Sequence, residues 1–591
     1  MKKFLTGNEA VARGAFEAGI SYASAYPGTP STEILENIAL YKDDITAEWG
    51  PNEKVALETA IGASMAGARS LCAMKMVGVN VAADPLFTYA YMGVNGALVL
   101  ISADDPGMAS SQNEQDNRYY AKFSKVAMLE PSNSQECKYM IKAAVEISEN
   151  FDTTVFFRMT QRVCHSKGLV ELEEKGDTPI KDYVRNNVKF DAVPAVSKAL
   201  RVKLEERLKR LEEFSNETEL NFIAWNNNKR MGVVTSGVSY QYAKEVFGDT
   251  ASYFKLGLTY PLPMKKLKDF ASQVDTLYVI EELEPYIEEQ LNANGISCIG
   301  KEKIPNIGEL NSDIVAESLL GKKKKLIEIN KDKVVARPPT LCAGCPHRGF
   351  FYELGKFKNV FMSGDIGCYG LGGAEPLKGK DCCICMGGSA GVAHGAQKVF
   401  KKFEKNMKSV ATMGDSTFFH TGINGLINII YNKGNVVTCI LDNRTTGMTG
   451  HQENPGTGFT LQGDETNTLS IEKIVRGLGC ENVKTINPHD LKLVKETLKW
   501  ALDTEGPSVI ITRYPCALKK YSDVDKKEFG ILDKKYYVDE QLCIGCRKCT
   551  MTGCPAVVFK PEKKKSSINE SQCVGCSVCS QVCPKDAILR K

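Results

Sequence analysis

Eight of the 21 cysteines in this 591-residue chain fall in its last 49 residues, and their spacing restricts what that stretch can become more than any other feature. They read Cys543-x2-Cys546-x2-Cys549-x4-Cys554-Pro555 and Cys573-x2-Cys576-x2-Cys579-x3-Cys583-Pro584. A segment of about 60 residues buries too little apolar surface to hold a fold by itself and needs staples. In a reducing compartment disulfides do not persist, so clustered cysteines serve first as metal ligands. Three thiolates at two-residue gaps wrap a loop around a cubane, and a fourth followed by proline crosses to the other half of the pseudo-repeat. The spacing predicts one [4Fe–4S] cluster on Cys543, Cys546, Cys549 and Cys583 and a second on Cys573, Cys576, Cys579 and Cys554. The first run has x4 where x3 is usual, which bends the loop before Cys554 without removing a ligand. Zinc sites favour two separated CxxC pairs, which tandem CxxCxxC runs do not supply. The chain is expected to conduct electrons at its C-terminal end.

The rest of the chain is long enough for several domains, at a prior of about four for the whole sequence. Hydrophobic residues at 43% and charged residues at 25% argue against disorder, collagen-like repeats and a membrane-embedded body. The longest apolar run, around Ala97–Ala103, falls far short of the ~20 residues of a membrane helix. Met1-Lys2-Lys3-Phe4 runs into Gly7, Asn8 and Glu9 before any apolar core, so no secretory signal is read and the cytoplasm is the expected location. A net charge of +4, with no basic helix carrying interleaved aromatics, is too small to suggest a nucleic-acid binder.

Residues 1–190 alternate glycine-rich amphipathic stretches such as Leu57–Ala68 with short apolar runs such as Ala97–Ser102, the rhythm of a parallel α/β sheet. Residues 191–227 read as a linker whose charged stretch Val196–Glu213 is helical. Buried strands at Gly232–Val238 and Thr276–Glu281 mark a smaller α/β domain over 228–335, closed by the solvated run Lys322–Lys325 and Arg337-Pro338-Pro339. Residues 336–525 form another α/β block, with strands expected at Ser409–Met413, Val436–Leu441 and Ser508–Arg513. The cysteine segment occupies 530–591.

In that third block Gly414-Asp415 follows an apolar strand, and Asn443 follows the next one 28 residues after Asp415. Strand, Gly-Asp, helix, strand, Asp-Asn is the signature of a thiamin diphosphate site. A Mg²⁺ ion that neutralises a diphosphate needs octahedral oxygen ligands. Asp415 and Asn443 offer two side-chain oxygens at the carboxyl edge of a parallel sheet, and the carbonyl of Thr445 a third. Thiamin chemistry also needs a carboxylate against N1′ of the aminopyrimidine. Glu48, Glu53 and Glu58 all stand near a Gly/Ala-rich helix, and the residues alone do not choose between them.

Together with Tyr26-Pro27-Gly28-Thr29-Pro30-Ser31, Asn80–Pro85, Ser111–Asp116, Cys342-Ala343-Gly344-Cys345-Pro346-His347-Arg348 and Asp442–His451, these motifs resemble the 2-oxoacid:ferredoxin oxidoreductases over essentially the whole chain. The likeness is to the large subunit of members that act on aryl 2-oxoacids such as indolepyruvate. It implies an α/β protein with two doubly wound thiamin-diphosphate-type domains: 1–190 for the pyrimidine and 336–525 for the diphosphate and Mg²⁺. A transketolase-C-terminal-like α/β domain (228–335) and a two-cluster ferredoxin-like α+β domain (530–591) complete it. It places Glu53 at N1′ and the Thr29 hydroxyl in the substrate pocket, with Gly414, Asp415, Asn443 and Thr445 at the cofactor. It also matches Cys342, Cys345, Cys368 and Cys516 to a third, proximal [4Fe–4S] cluster. The arginine that pyruvate-type relatives carry after the Ala97–Ser102 strand is replaced by Asp104-Asp105.

The reaction implied is oxidative decarboxylation of an aryl 2-oxoacid, with coenzyme A taking the acyl group and ferredoxin the electrons. A smaller beta subunit would complete an oxygen-free heteromeric enzyme, without membrane or nucleic acid. Another 2-oxoacid (pyruvate or branched-chain), or a purely electron-transferring subunit, are the alternatives; a non-oxidative decarboxylase would not need the cysteine tail. Cys382, Cys383 and Cys385 are expected to be buried structural thiols, and His347, His420 and His451 are the histidines placed for proton transfer. Residues 531–591 hold 11 Lys/Arg against six Asp/Glu. That makes Lys563-Lys564-Lys565 and Arg547-Lys548 a candidate docking patch for an acidic ferredoxin.

Overall fold

The computed structural model describes the whole chain except Asn227, Asn228, Lys325, Leu326, Glu328, Ala336, Ile531 and Asp533, and the side chain of Lys331. The domain boundary drawn at 227/228 and the last lysine of Lys322–Lys325 therefore lie outside the described residues. The chain forms two units, Met1–Ile329 and Asn330–Lys591.

The first unit is built on a seven-stranded sheet. Its order is Leu258–Tyr260, Ala127–Leu129, Thr154–Thr160, Ala97–Asp104, Arg69–Lys75, Tyr22–Ala25 and Thr46–Trp49. All neighbours are parallel except the first pair. Every residue of Ala97–Asp104 is buried, as expected for a central parallel strand covered on both faces. A second sheet, in the order Thr276–Ile280, Met231–Ser236, Ser252–Leu256 and Phe222–Ala224, makes the smaller α/β body. Two of its features have no local signal in the sequence. Phe222–Ala224 joins its edge antiparallel, ahead of residue 228, and Leu258–Tyr260 leaves it to pair with the large sheet. Between them runs the charged helix Pro194–Glu217, which buries Leu200, Leu204 and Leu211.

Buried charges tie these two sheets together. Arg118, 1% exposed, pairs with Asp116 and Glu281, each at 2.6 Å. Arg158 pairs with Asp104 at 2.9 Å and Glu130 at 2.7 Å, and Glu130 accepts from Ser236. Glu282 accepts from the Leu310 N–H, and burial pushes its carboxyl up from 4.5 to about 7. The folded state thus holds this proton more tightly than the unfolded chain. The stability it gives is complete below about pH 4.5 and lost as pH rises through about 7. Glu282→Gln keeps the acceptor and removes the titration. Calorimetric melting should show the variant gaining on the parent protein from about pH 5 to about pH 8, whereas a constant difference would reject the assignment.

The second unit carries a six-stranded, wholly parallel sheet. Its order is Cys382–Cys383, Val360–Gly364, Lys408–Gly414, Val436–Asp442, Ser508–Arg513 and Val483–Ile486. Val410, Val437, Cys439, Leu441 and Ile510 pack on one face with Phe350, Phe351 and Leu498. Ala411, Met413, Ile440, Val509 and Ile511 pack on the other with Phe418, Leu426 and Ile429. This is the two-residue alternation of strands buried on both sides. The C-terminal segment has only two short antiparallel pairs, Tyr536–Val538 with Ile588–Arg590 and Val557–Lys560 with Lys565–Ile568. Its apolar cluster centres on Cys549, Val557 and Ile588, too few residues for a self-sufficient core.

Candidate active site

In the second unit the strand Lys408–Gly414 delivers Gly414 and then Asp415, the first residue of a helical stretch with a π-turn at Phe418–Gly422. Register pairs Gly414 with Leu441, so Asp415 and Asn443 emerge side by side although 28 residues separate them. Both are buried. The Asn443 side-chain oxygen, as placed, lies 2.9 Å from the Thr445 carbonyl oxygen and 3.0 Å from Asp415 Oδ1. Turned over, the amide would instead donate to both. An oxygen 2.9–3.0 Å from each of two others matches two edges of one face of an octahedron. With metal–oxygen bonds of 2.0–2.1 Å its edges are about 2.9 Å. The donor set fits Mg²⁺.

Burial and the nearby charge of Asp442 push the Asp415 carboxyl up to about 7, while donors from Asn454 and the Thr445 N–H, each at 3.1 Å, work against them. The loop is anchored by the buried Arg444–Asp525 pair at 2.6 Å. Asp365, at the end of Val360–Gly364, accepts from Gly387 N–H at 2.7 Å and Ser389 N–H at 3.1 Å. Asn454, Arg444, Asp525 and Asp365 escaped the sequence reading. Asp365, which follows an apolar strand, and Arg444, within the Asp442–His451 motif, carried a local signal.

Cys342, Cys345, Cys368 and Cys516 lie within electrostatic range of one another, and two of them within range of Asp415. Cys345 feels Cys516 and Cys368, Cys368 feels Cys516 and Cys342, and both Cys368 and Cys516 feel Asp415. Burial pushes Cys345 up to about 12 and Cys368 to about 11. The Cys516 N–H donates to the Asn443 carbonyl at 3.0 Å, joining the thiols to the oxygen site through one peptide. His451 Nε2 lies 3.6 Å from Cys516 Sγ. His420 Nδ1 meets Thr421 at 3.1 Å, and burial pushes His347 down to about 4, which keeps it neutral. Cys382, Cys383 and Cys385 depart from expectation. The first is half-buried and the other two are exposed, because they lie on and just after the edge strand of the sheet.

In the C-terminal segment Cys543, Cys546, Cys549 and Cys583 line one cavity. Cys579 has Cys576, Cys554, Cys573 and, least strongly, Cys549 of the other set as its neighbouring thiols, and burial pushes it up. Each half fastens the other. The Lys565 ammonium donates to the Cys543 carbonyl and that of Lys535 to the Cys573 carbonyl. Lys563 is paired with Glu540 at 2.8 Å. Two lysines of the expected docking run, Lys563 and Lys565, thus have partners within the segment.

In the first unit Glu53 opens the helix Glu53–Met65, capped by Asn52, whose side chain accepts from Val55 N–H at 2.9 Å. It is buried, and a Cβ at Gly78 would approach its Cγ to 2.6 Å, so only glycine fits there. Glu48 is bonded to Tyr22 and Glu58 to Lys54, both on the surface. Thr29 lies in the loop after Tyr22–Ala25, half-buried, with Ser110 Oγ 3.4 Å from its carbonyl. Both elements lie at the carboxyl edge of the sheet, where parallel sheets bind ligands. Asp104 is withdrawn into its pair with Arg158. Arg118 and Arg158, which the sequence reading passed over, are the buried cations near that edge.

Three family models match the chain. They are described as "Pyruvate flavodoxin/ferredoxin oxidoreductase, thiamine diP-bdg" over 13–205, "Thiamine pyrophosphate enzyme, C-terminal TPP binding domain" over 365–512 and "4Fe-4S dicluster domain" over 537–589. These matches, with the relatives below, define a thiamin-diphosphate-dependent oxidoreductase of 2-oxoacids that passes electrons through iron–sulfur clusters to ferredoxin. The indolepyruvate oxidoreductase subunit IorA of Archaeoglobus fulgidus is 41% identical over 99% of this chain and 97% of its own length. That of Pyrococcus abyssi is 41% identical over 99% and 96%. The 2-oxoglutarate synthase subunit KorA of Archaeoglobus fulgidus is 25% identical over 47% of the chain. The chain belongs to the 2-oxoacid:ferredoxin oxidoreductase family, on the branch of the indolepyruvate oxidoreductase subunit IorA. Among the described residues no helix is long and apolar enough to cross a membrane.

Proposed function

We propose that this chain is the catalytic subunit for CoA-dependent oxidative decarboxylation of an aryl 2-oxoacid, with indolepyruvate as the reference substrate. A smaller subunit completes the enzyme and ferredoxin takes the electrons. The observation that carries this reading is the nearness of Asp415 to Cys368 and Cys516, with the Cys516 N–H bonded to the Asn443 carbonyl and with Cys342 and Cys345 near those same two thiols. A site for a diphosphate-bound cation abuts one suited to an electron acceptor. The names of the relatives support the aryl substrate.

Thiamin diphosphate, when bound, supplies the carbon nucleophile and electron sink for decarboxylation. Asp415, Asn443 and the Thr445 carbonyl would hold its Mg²⁺. Glu53 is assigned to aminopyrimidine N1′, where it holds and passes a proton, and the Thr29 hydroxyl orients the substrate. The thiols of Cys342, Cys345, Cys368 and Cys516 would hold the proximal cluster. Those of the C-terminal segment would hold two more. Under anoxia, with the smaller subunit present, viologen reduction should require CoA and favour indolepyruvate over pyruvate, branched-chain oxoacids and 2-oxoglutarate by at least about 10-fold in kcat/KM. Preference for another oxoacid would move the substrate. Iron without thiamin diphosphate binding would support a purely electron-transferring subunit.

A further inference from the structure

Arg348 is 1% exposed, yet its hydrogen-bond partners are all main-chain carbonyls. One terminal nitrogen donates to Leu341 and, at 2.9 Å, to Cys342. The other donates at 2.9 Å to Thr552, and Nε is buried without a partner. A buried guanidinium without a counter-charge is strongly unfavourable. The groups around it explain how it is tolerated. Leu341 and Cys342 begin one thiol-bearing loop, and Thr552 stands two residues before Cys554 in another. The Arg348 charge acts on Cys345 in the first set and on Cys576 in the second. The two loops also touch: a Cβ on Gly344, between Cys342 and Cys345, would collide with Val574, between Cys573 and Cys576. Gln581 fastens the C-terminal segment at the same place, donating to the His489 carbonyl at 2.6 Å and accepting from the Leu491 N–H at 3.0 Å. Among the described residues Arg348 does not line the cavity of Cys543, Cys546, Cys549 and Cys583, which Arg547 and Lys585 border instead; its one link there is through Thr552, which also donates to the Cys549 carbonyl.

We propose that Arg348 is the shared counter-charge of two iron–sulfur clusters, one on Cys342, Cys345, Cys368 and Cys516 and one on Cys554, Cys573, Cys576 and Cys579, and that it fixes their loops for electron transfer between them. This rests on the reading of those eight cysteines as ligands. A cubane held by four thiolates is net negative in both working oxidation states, and nearby charge is one of the levers on its potential. A fixed cation between two such groups makes each easier to reduce and weakens the repulsion when both are reduced. The third site is bordered by Arg547 and Lys585 and not by Arg348, so the Arg348 charge acts most on the two inner potentials. Arg348 is a positioning residue; it touches neither substrate nor thiamin.

The test is a redox titration, followed by electron paramagnetic resonance, of the anaerobically purified complex carrying Arg348→Gln or Arg348→Lys, with iron counted in each. With iron at the parental level, Arg348→Gln should lower the reduction equilibrium constant of both inner clusters about 10-fold, equal to 59 mV for one electron, and leave the outer cluster unchanged. Arg348→Lys keeps the charge but loses the planar fork, so it should retain most of the parental potential. Unchanged inner potentials in Arg348→Gln, or an equal shift of all three, would overturn the proposal. If Arg348→Gln does not hold its iron, Arg348→Lys decides, and a full 10-fold drop there would overturn the role of the charge. The ligand reading is tested separately: about eight iron atoms per parental chain in place of about 12, unaltered by Cys342→Ser, would reject it.

Discussion

Asp415→Ala is expected to abolish Mg²⁺-dependent binding of thiamin diphosphate and to lower kcat by at least about 10³-fold, since it removes the only charged ligand of the three-oxygen set. Calorimetric titration of the cofactor, with and without Mg²⁺, reads this directly. The parental carboxyl, held up to about 7 by burial and Asp442, must lose its proton to take the cation. Mg²⁺ affinity should therefore rise with pH through about 7 and level off above it. Glu53→Gln should behave differently, keeping cofactor affinity while slowing exchange of the C2 proton by about 10²–10⁴-fold. Tight Mg²⁺-dependent binding in Asp415→Ala, or parental exchange in Glu53→Gln, would contradict the respective assignments.

The second large effect concerns stability. Arg118→Leu strips the counter-charge from Asp116 and Glu281, both almost fully buried, and leaves the carbonyls of Glu282 and Glu284 without their donor. Breaking a buried pair from one side costs about 3–5 kcal/mol. At about 2–4 °C per kcal/mol, the melting transition of the first unit should fall on the order of 10 °C. Glu281→Gln placed in the same chain should recover part of the loss, because it removes one of the two stranded charges. A fall no larger than that of an exposed arginine variant would show that the network adds little.

What the sequence disclosed follows from the range of the forces involved. Ser409–Met413, Val436–Leu441 and Ser508–Arg513 were legible as strands because continuous apolar runs flank Gly-Asp and Asp-Asn. The structure places them within Lys408–Gly414, Val436–Asp442 and Ser508–Arg513. The neighbourhood of Asp415 and Asn443 follows from parallel pairing of adjacent strands, which is nearly a local rule. The Arg118–Glu281 pair spans 163 residues, and nothing near either residue announces the other. Arg348 was visible only as part of a motif, since its burial depends on Thr552, 204 residues away. The exposure of Cys383 and Cys385 was missed for a similar reason: a two-residue edge strand leaves no periodicity to read.

The crossed lysine contacts of the C-terminal segment have a consequence for how it assembles. Lys535 and Lys565 each stand eight residues ahead of a cysteine run, yet each holds the carbonyl of the run in the other half. Neither half is a complete object. A chain cut between Val557–Lys560 and Lys565–Ile568 would leave two pieces, each lacking the clasp that the other supplies. Folding of this segment is thus a single concerted event, and damage that loosens one half is felt at once by the other.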